Sequence, residues 1–295
     1  MSDYILSCCS TADLDAPYFK EKDINVVYFH YTLDGVEYVD DLGQSMPFDE
    51  FYKRLSEGSE TQTSQVSPGE FENYFRPFLE KGQDILHVSL SSGLSGVFNS
   101  AEIARELLLE EFPERKIFLV DSLGASSGYG LFMDTLANLK NEGMELEALY
   151  QWASDNRLKM HHWFFSTDLS FYVKGGRITK TQATIATSLN IIPVLNMNSK
   201  GQLTPQYKVR GRKKVERKML EEMTNHAQEG VDYRGKCFIS QSAFYDEAQT
   251  LATLIEEKFP NLDGPVKINS IGTTIGSHTG PGTIALFFWG DERID

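Results

Sequence analysis

Cysteine is nearly absent: the 295 residues hold three, two of them adjacent at Cys8 and Cys9 and the third far off at Cys237. An odd number at that spacing builds neither a disulfide framework nor a zinc-binding set, so reduced core thiols are expected and no metal ligands. Long apolar runs are missing as well, since nothing approaches the ~20 residues that a membrane-spanning helix requires. Positive charge is the scarcer sign, with 28 Lys and Arg against 42 Asp and Glu and a formal net charge of −14. Such a surface repels a phosphate backbone, which argues against a nucleic-acid partner. The opening stretch, MSDYILSCCSTADLD, lacks the basic region of a secretory leader and soon reaches Asp13 and Asp15, so cytoplasmic residence is expected.

What is present is an ordinary globular mixture, 41% hydrophobic and 24% charged, on a chain long enough for two cores. In the first half, DYILSCC, INVVYFHYTLDG, DILHVSL and KIFLVDS read as strands. Helical stretches fall between and after them: Pro47 to Leu55, a segment from Ser67 to Lys81, Gly96 to Glu111, and Ser126 to Asn141. Ser67-Pro68-Gly69-Glu70 is a capping-box arrangement with proline at the first helical position. This alternation predicts a Rossmann-like α/β domain over residues 1–160, a parallel sheet flanked by helices, closed by a helix near Glu145 to Lys159. The pattern then changes. HHWFFST, an extended segment from Ile191 to Val209 with an NSKG turn, a charged helix from Arg212 to Gln228, strand KCFISQSA, helix Asp246 to Lys258, and strands VKINSIG and TIALFFWG predict an α+β domain over residues 161–295.

Chemistry concentrates in four short stretches. Ser91-Ser92-Gly93-Leu94-Ser95-Gly96 follows a strand and opens a helix, the place in a parallel sheet where ligands bind and backbone N–H groups point outward. An anion suits it. The stretch lacks the lysine of a phosphate-binding P-loop and is not G-x-G-x-x-G, so a nucleotide is disfavoured. It also lacks G-x-S-x-G, which weakens nucleophilic serine chemistry without removing it. A bare helix-capping turn is the plainest alternative. Thr61 to Glu70, TQTSQVSPGE, places three more hydroxyls before a helix. YVKGGRI pairs two glycines with Arg177, whose planar fork suits a carboxylate or phosphate, though a hairpin turn with an exposed arginine reads equally well. IGTTIGSHTGPG is a glycine-rich loop centred on His278.

Taken together, S-T-A-D-L (Ser10 to Leu14), T-S-Q-x-S-P-G (Thr63 to Gly69), S-S-x-L-S-G (Ser91 to Gly96), K-G-G-R-I (Lys174 to Ile178) and I-G-x-H-x-G-P-G (Ile275 to Gly282) resemble the DegV family in order and spacing. The resemblance covers nearly the whole chain. It implies two domains enclosing a long-chain fatty acid, with no cofactor beyond that ligand and no catalysis by this chain. Its members act as the fatty-acid-binding subunit for a separate ATP-dependent fatty acid kinase, which forms the acyl phosphate. Carried onto this sequence, the family pattern implies that Thr63 and Ser95 hydrogen-bond the carboxylate, that Ser92 and the turn amides up to Gly96 line the same spot, and that Arg177 and His278 approach from the second domain. Transient contact with a membrane is a further partner the resemblance allows. Cys8-Cys9, Val66, Val97 and Ile192 depart from the usual family residues, and they bear on kinase pairing and chain preference more than on the carboxylate donors. The competing class is an acyl hydrolase or acyltransferase using Ser95, or Ser92, with His278 as base, which requires the histidine within hydrogen-bond reach of the hydroxyl.

Elementary energetics suit a lipid. Burying a methylene gains about 0.8 kcal/mol, so about sixteen carbons contribute on the order of 10 kcal/mol before ordering costs. A carboxylate withdrawn from water needs donors at its oxygens, which gives converging hydroxyls, amides and a cation a purpose. One basic run in the acidic chain, YKVRGRKKVERK from Tyr207 to Lys218, reads either as a solvated helix face or as a patch that docks an acidic surface or steadies the phosphate on the kinase partner.

Overall fold

A computed structural model of the chain describes residues 4–183 and 190–294. Four strands, β1 (Tyr4–Cys9), β2 (Ile24–Val27), β6 (Asp84–Ser89) and β7 (Ile117–Asp121), form an all-parallel sheet in the order β2-β1-β6-β7. All six residues of β1 are buried, as expected where helices cover both faces of a parallel sheet. The capping box forms as read. Ser67 Oγ accepts from the Glu70 N–H at 3.3 Å while Glu70 Oε2 accepts from the Ser67 N–H at 2.7 Å, starting α3 (Pro68–Glu80).

The segment INVVYFHYTLDG is not one strand. It divides after Val27, and β3 (His30–Leu33) leaves the parallel sheet to pair with β4 (Val36–Val39) and β5 (Thr61–Ser64) in a small antiparallel sheet. The run TQTSQ, read as loop, thus supplies an edge strand. Its alternating threonines suit a pleated surface that is half-buried on one side and exposed on the other.

After residue 160 the strands join a six-stranded mixed sheet: β8 (Met160–Ser166), β9 (Ile191–Met197), β10 (Leu203–Arg210), β11 (Phe238–Gln241), β12 (Lys267–Ser270) and β13 (Thr283–Trp289), in the order β10-β9-β8-β13-β11-β12. Its outer face carries α9 (Arg212–His226) and α10 (Tyr245–Lys258) over Trp163, Phe165, Ile284, Leu286 and Phe288. Alternation along the same strands turns His162, Phe164, Thr283, Ala285 and Phe287 to the inner face.

Between the two large sheets lies the first turn of α5 (Ser126–Asn141), in the run SSGYG. Its two glycines are required by close approach. A β-carbon on Gly128 would meet His162 and Phe287 of the mixed sheet at 2.5 Å, and one on Gly130 would meet the Ala12 carbonyl at 2.5 Å. Leu195, Phe238, Ala285 and Phe287 accordingly belong to the same apolar core as Leu6, Val88 and Phe132. A polar seam runs beside it, in which Ser126 donates to Asp13, and Ser240 bridges Ser126 and Ser127 at 3.0 and 2.7 Å.

Candidate functional site

A cavity of about 520 Å³ opens between the parallel and mixed sheets, within the roughly 300–1,000 Å³ usual for small-ligand sites. Phe29, Leu90, Leu94, Phe164, Met197, Leu203, Ile275, Ala285 and Phe287 make it largely apolar. Several polar residues on its wall turn their polar atoms into the protein. His162 Nε2 accepts from the Ala125 N–H at 3.2 Å and its Nδ1 lies 3.0 Å from the Met160 carbonyl, so Nδ1–H donates and the ring shows the cavity only carbon. Burial pushes that imidazole well below its usual pKa. The Tyr172 hydroxyl is likewise taken by Thr283 Oγ1 at 3.0 Å.

Polar groups gather where three elements meet. Strand β5 sends Thr61 and Thr63, two residues apart, to one side. There they meet α11 (Thr273–Thr279): Thr61 Oγ1 lies 2.7 Å from Ser277 Oγ, and Thr63 Oγ1 lies 2.7 Å from His278 Nε2. The stretch read as a glycine-rich loop around His278 is therefore a helix for seven residues, and the permissive glycines come after it, with Gly280 at φ 66° and Gly282 at φ 85°. Gly276 has a packing reason instead, because a β-carbon there would strike the Tyr52 hydroxyl, which donates to the Ile271 carbonyl at 2.7 Å.

Arg177 follows the short helix α7 (Ser170–Lys174) and its turn. Nη1 lies 3.2 Å from His278 Nδ1 and donates to the Gly175 carbonyl at 2.5 Å, while Nη2 donates to the Leu94 carbonyl at 2.9 Å. The fork that suits a carboxylate is thus engaged with the protein, and Arg177 acts on the site through its charge and through His278. A guanidinium has no acceptor, so His278 Nδ1 must accept. Nε2–H then donates to Thr63, and the Thr63 hydroxyl proton is free to turn to the cavity. Desolvation first, and Arg177 second, push His278 down to about 4. The K-G-G-R motif has a matching logic. A β-carbon on Gly175 would collide with His278 Nδ1, whereas Gly176 supplies the left-handed backbone at φ 72°.

The hydroxyl turn after β6 divides its labour. Ser95 Oγ donates to Gln65 Oε1 at 3.1 Å and accepts from the Val97 N–H at 3.2 Å. Both Ser95 and Gly96 line the cavity. Ser92 does not: its side chain is exposed outside the lining and its N–H donates to Asp121 Oδ1 at 3.1 Å, because the turn must satisfy its own amides before α4 (Val97–Glu111) begins. Ser91 donates to the Gly201 carbonyl at 2.8 Å, and a β-carbon on Gly93 would come within 2.6 Å of the Lys200 and Gly201 carbonyls. Half of the turn therefore seats the β9–β10 hairpin. Gln65 escaped notice as a positioning residue, holding Ser95 on one side and donating to Ser100 Oγ at 3.0 Å on the other. Its only signal was its place in T-S-Q.

In the basic run, Arg212 pairs with Glu247 at 2.6 Å and Lys218 with Glu222 at 2.7 Å, while Lys218 also lies over the Tyr207 ring. The positive strip is thus narrower than its sequence. Among the described residues no helix is long and apolar enough to cross a membrane.

The molecule is thus an α/β protein with a largely apolar cavity between two sheets, on whose wall Thr63, Ser95, Arg177 and His278 gather. The chain belongs to the DegV family: residues 9–291 match the family described as uncharacterised protein, DegV family. A DegV domain-containing protein of Clostridium perfringens is 36% identical over 293 residues, 99% of each chain. A solved structure described as fatty acid binding of a DegV family protein from Thermus thermophilus superposes with a TM-score of 0.86 at 28% identity, covering 98% of this chain and all of that one. The same fold, at a TM-score of 0.83 and 24% identity over 99% of this chain and all of that one, occurs in the Streptococcus pneumoniae fatty acid kinase B3 protein, solved loaded with linoleic acid.

Proposed function

We propose that this chain holds a long-chain fatty acid in the cavity between its sheets and presents the carboxylate to a separate ATP-dependent kinase, without catalysis of its own. The observation that carries the reading is the joining of one apolar cavity to the Arg177–His278–Thr63 relay. In that relay, charge is supplied by a guanidinium while the groups offered to the ligand are uncharged hydroxyls. Ser95 adds a second donor by exchanging Gln65 for a carboxylate oxygen. The fatty-acid-binding relatives support the ligand class, and the fold shared with the kinase B3 protein is in keeping with the kinase step.

The hydrolase reading needed Ser95 bonded to His278. Instead Ser95 faces Gln65 and His278 faces Thr63, and an imidazole pushed down to about 4 by burial and a neighbouring guanidinium is a weak general base at neutral pH. Mass spectrometry of an organic extract from the purified chain tests the proposal. A near-stoichiometric fatty acid is expected, and an extract without one, from a chain that also fails to take up added palmitate or oleate, sinks it. Formation of acyl phosphate when the loaded chain meets a fatty acid kinase and ATP tests the second half separately.

A further inference from the structure

On the outer face of the mixed sheet, away from the cavity, three ligand-type side chains converge. His161 stands one residue before His162 on β8, so its ring points to the opposite face. His226 is the last residue of α9, and Asp291 follows β13. His161 Nε2 lies 2.9 Å from Asp291 Oδ1, and His226 Nδ1 lies 3.1 Å from that same oxygen. One donor atom from each of the three falls within 4.8 Å of the others. A tetrahedral zinc with bonds of about 2.0–2.1 Å sets its ligands roughly 3.3 Å apart, and both histidine nitrogens already lie near that distance from Asp291 Oδ1.

The surroundings fit a cation as well as the spacing does. His226 Nε2 lies 3.5 Å from Glu222 Oε2, and Glu222 is 2% exposed. That carboxylate can hold the Nε2 proton and turn Nδ1 outward as a ligand, the outer-sphere arrangement usual for metal-binding histidines. Lys218 balances Glu222 at 2.7 Å. Carbonyls at the C-terminal end of α9 add partial negative charge. His161 Nε2 also lies 3.0 Å from the Asp291 main-chain carbonyl, so the proton it donates there is the one a metal would displace. Arg293, a cation close to His161, is occupied by the carbonyls of Leu158, Met197, Asn198, Leu123 and Arg157. Gly290 is glycine for the sake of this corner, because a β-carbon there would strike the His226 carbonyl and come within 2.6 Å of the His161 ring.

We propose that His161, His226 and Asp291 form a binding site for a divalent first-row metal ion, zinc by preference, with a fourth position open to water. The site ties the end of α9 to β8 and to the segment after β13. Two imidazoles and one carboxylate favour zinc over calcium or magnesium, which take all-oxygen sets.

Equilibrium dialysis of the chelator-stripped full chain against zinc sulfate tests this, with cobalt substitution as a spectroscopic check. One zinc per chain is expected, with cobalt giving the visible absorption of a nitrogen- and oxygen-ligated ion. His226→Gln and Asp291→Asn should each abolish stoichiometric binding, and Glu222→Gln should weaken it about tenfold. His30→Gln, at an imidazole elsewhere on the surface, should leave it unchanged. The proposal fails if the unaltered chain takes up no zinc at equimolar concentration, or if the His226→Gln, Asp291→Asn double variant retains it. Should a variant not fold, absence of the cobalt bands from the unaltered chain is itself decisive against the site.

Discussion

Thr63 owes its freedom to donate to a residue it does not touch. Because Arg177 can only give protons, the relay leaves the Thr63 hydroxyl as the group whose proton can face a ligand. A hydrogen bond to a charged acceptor contributes about 1.5–3 kcal/mol, so Thr63→Val should weaken fatty-acid binding by roughly 10- to 100-fold, with Thr63→Ser keeping most of the affinity. Calorimetric titration with a single fatty acid measures both. His87 offers a second test at this scale. It is fully buried between Phe71 and Phe75 with Nδ1 2.9 Å from Ser7 Oγ, and desolvation lowers it from 6.5 to about 3. The unfolded chain therefore takes up this proton first as pH falls, and the stability that the neutral ring provides is lost from 6.5 down towards 3. Relative to His87→Gln, the unaltered chain should lose unfolding free energy across that window. Parallel pH profiles for the two would show that His87 titrates freely.

At the scale of elements, the site depends on how closely α7 and its turn approach α11. Gly175 has an ordinary φ of −75°, so its lack of a side chain is a matter of space. Gly175→Ala should push His278 off Thr63 and lower fatty-acid affinity about tenfold, while the helix-forming preference of alanine leaves α7 itself intact. A shift of the His278 imidazole resonances in the ligand-free variant would report the displacement directly, and unchanged resonances would contradict it. α11 and β5 were also the elements least visible in sequence. TTIGSHT has too many hydroxyls and a glycine for a helix on propensity, and TQTS too few apolar residues for a strand. Packing settles both: Ile271, Phe51 and Tyr52 form a small core under α11, and β3 supplies the backbone partners of β5. By contrast, α5 and the capped α3 were legible to within a residue or two, because caps and helical periodicity are local signals.

Over the whole molecule, we propose that the division near residue 160 separates sheets more than it separates cores. The first half ends at β7 and its helices, and the mixed sheet begins at β8, yet Leu195, Phe238, Ala285 and Phe287 complete the core that contains β1 and β6. A chain of residues 1–160 alone would leave that apolar surface to water. It should lack fixed tertiary structure, and the full chain should unfold in one calorimetric transition with equal calorimetric and van't Hoff enthalpies. Two separated transitions, or a cooperative melt of the isolated segment, would show independent domains.

The sequence by itself determined the strand–helix alternation of the first half, most helix boundaries and the family, because those depend on neighbours in the chain. It also marked Thr63, Ser95, Gly96, Arg177 and His278, and the fold brings all five to the cavity. Tertiary structure alone decided that Ser92 faces outward, that Arg177 works through His278, and that Ser91 and Gly93 support a hairpin more than a hundred residues away. Likewise His161, His226 and Asp291 meet only because strand alternation and a helix end bring them to one corner. Hydrogen-bond partners are chosen by distance in space, and a single chain records spacing only along its length.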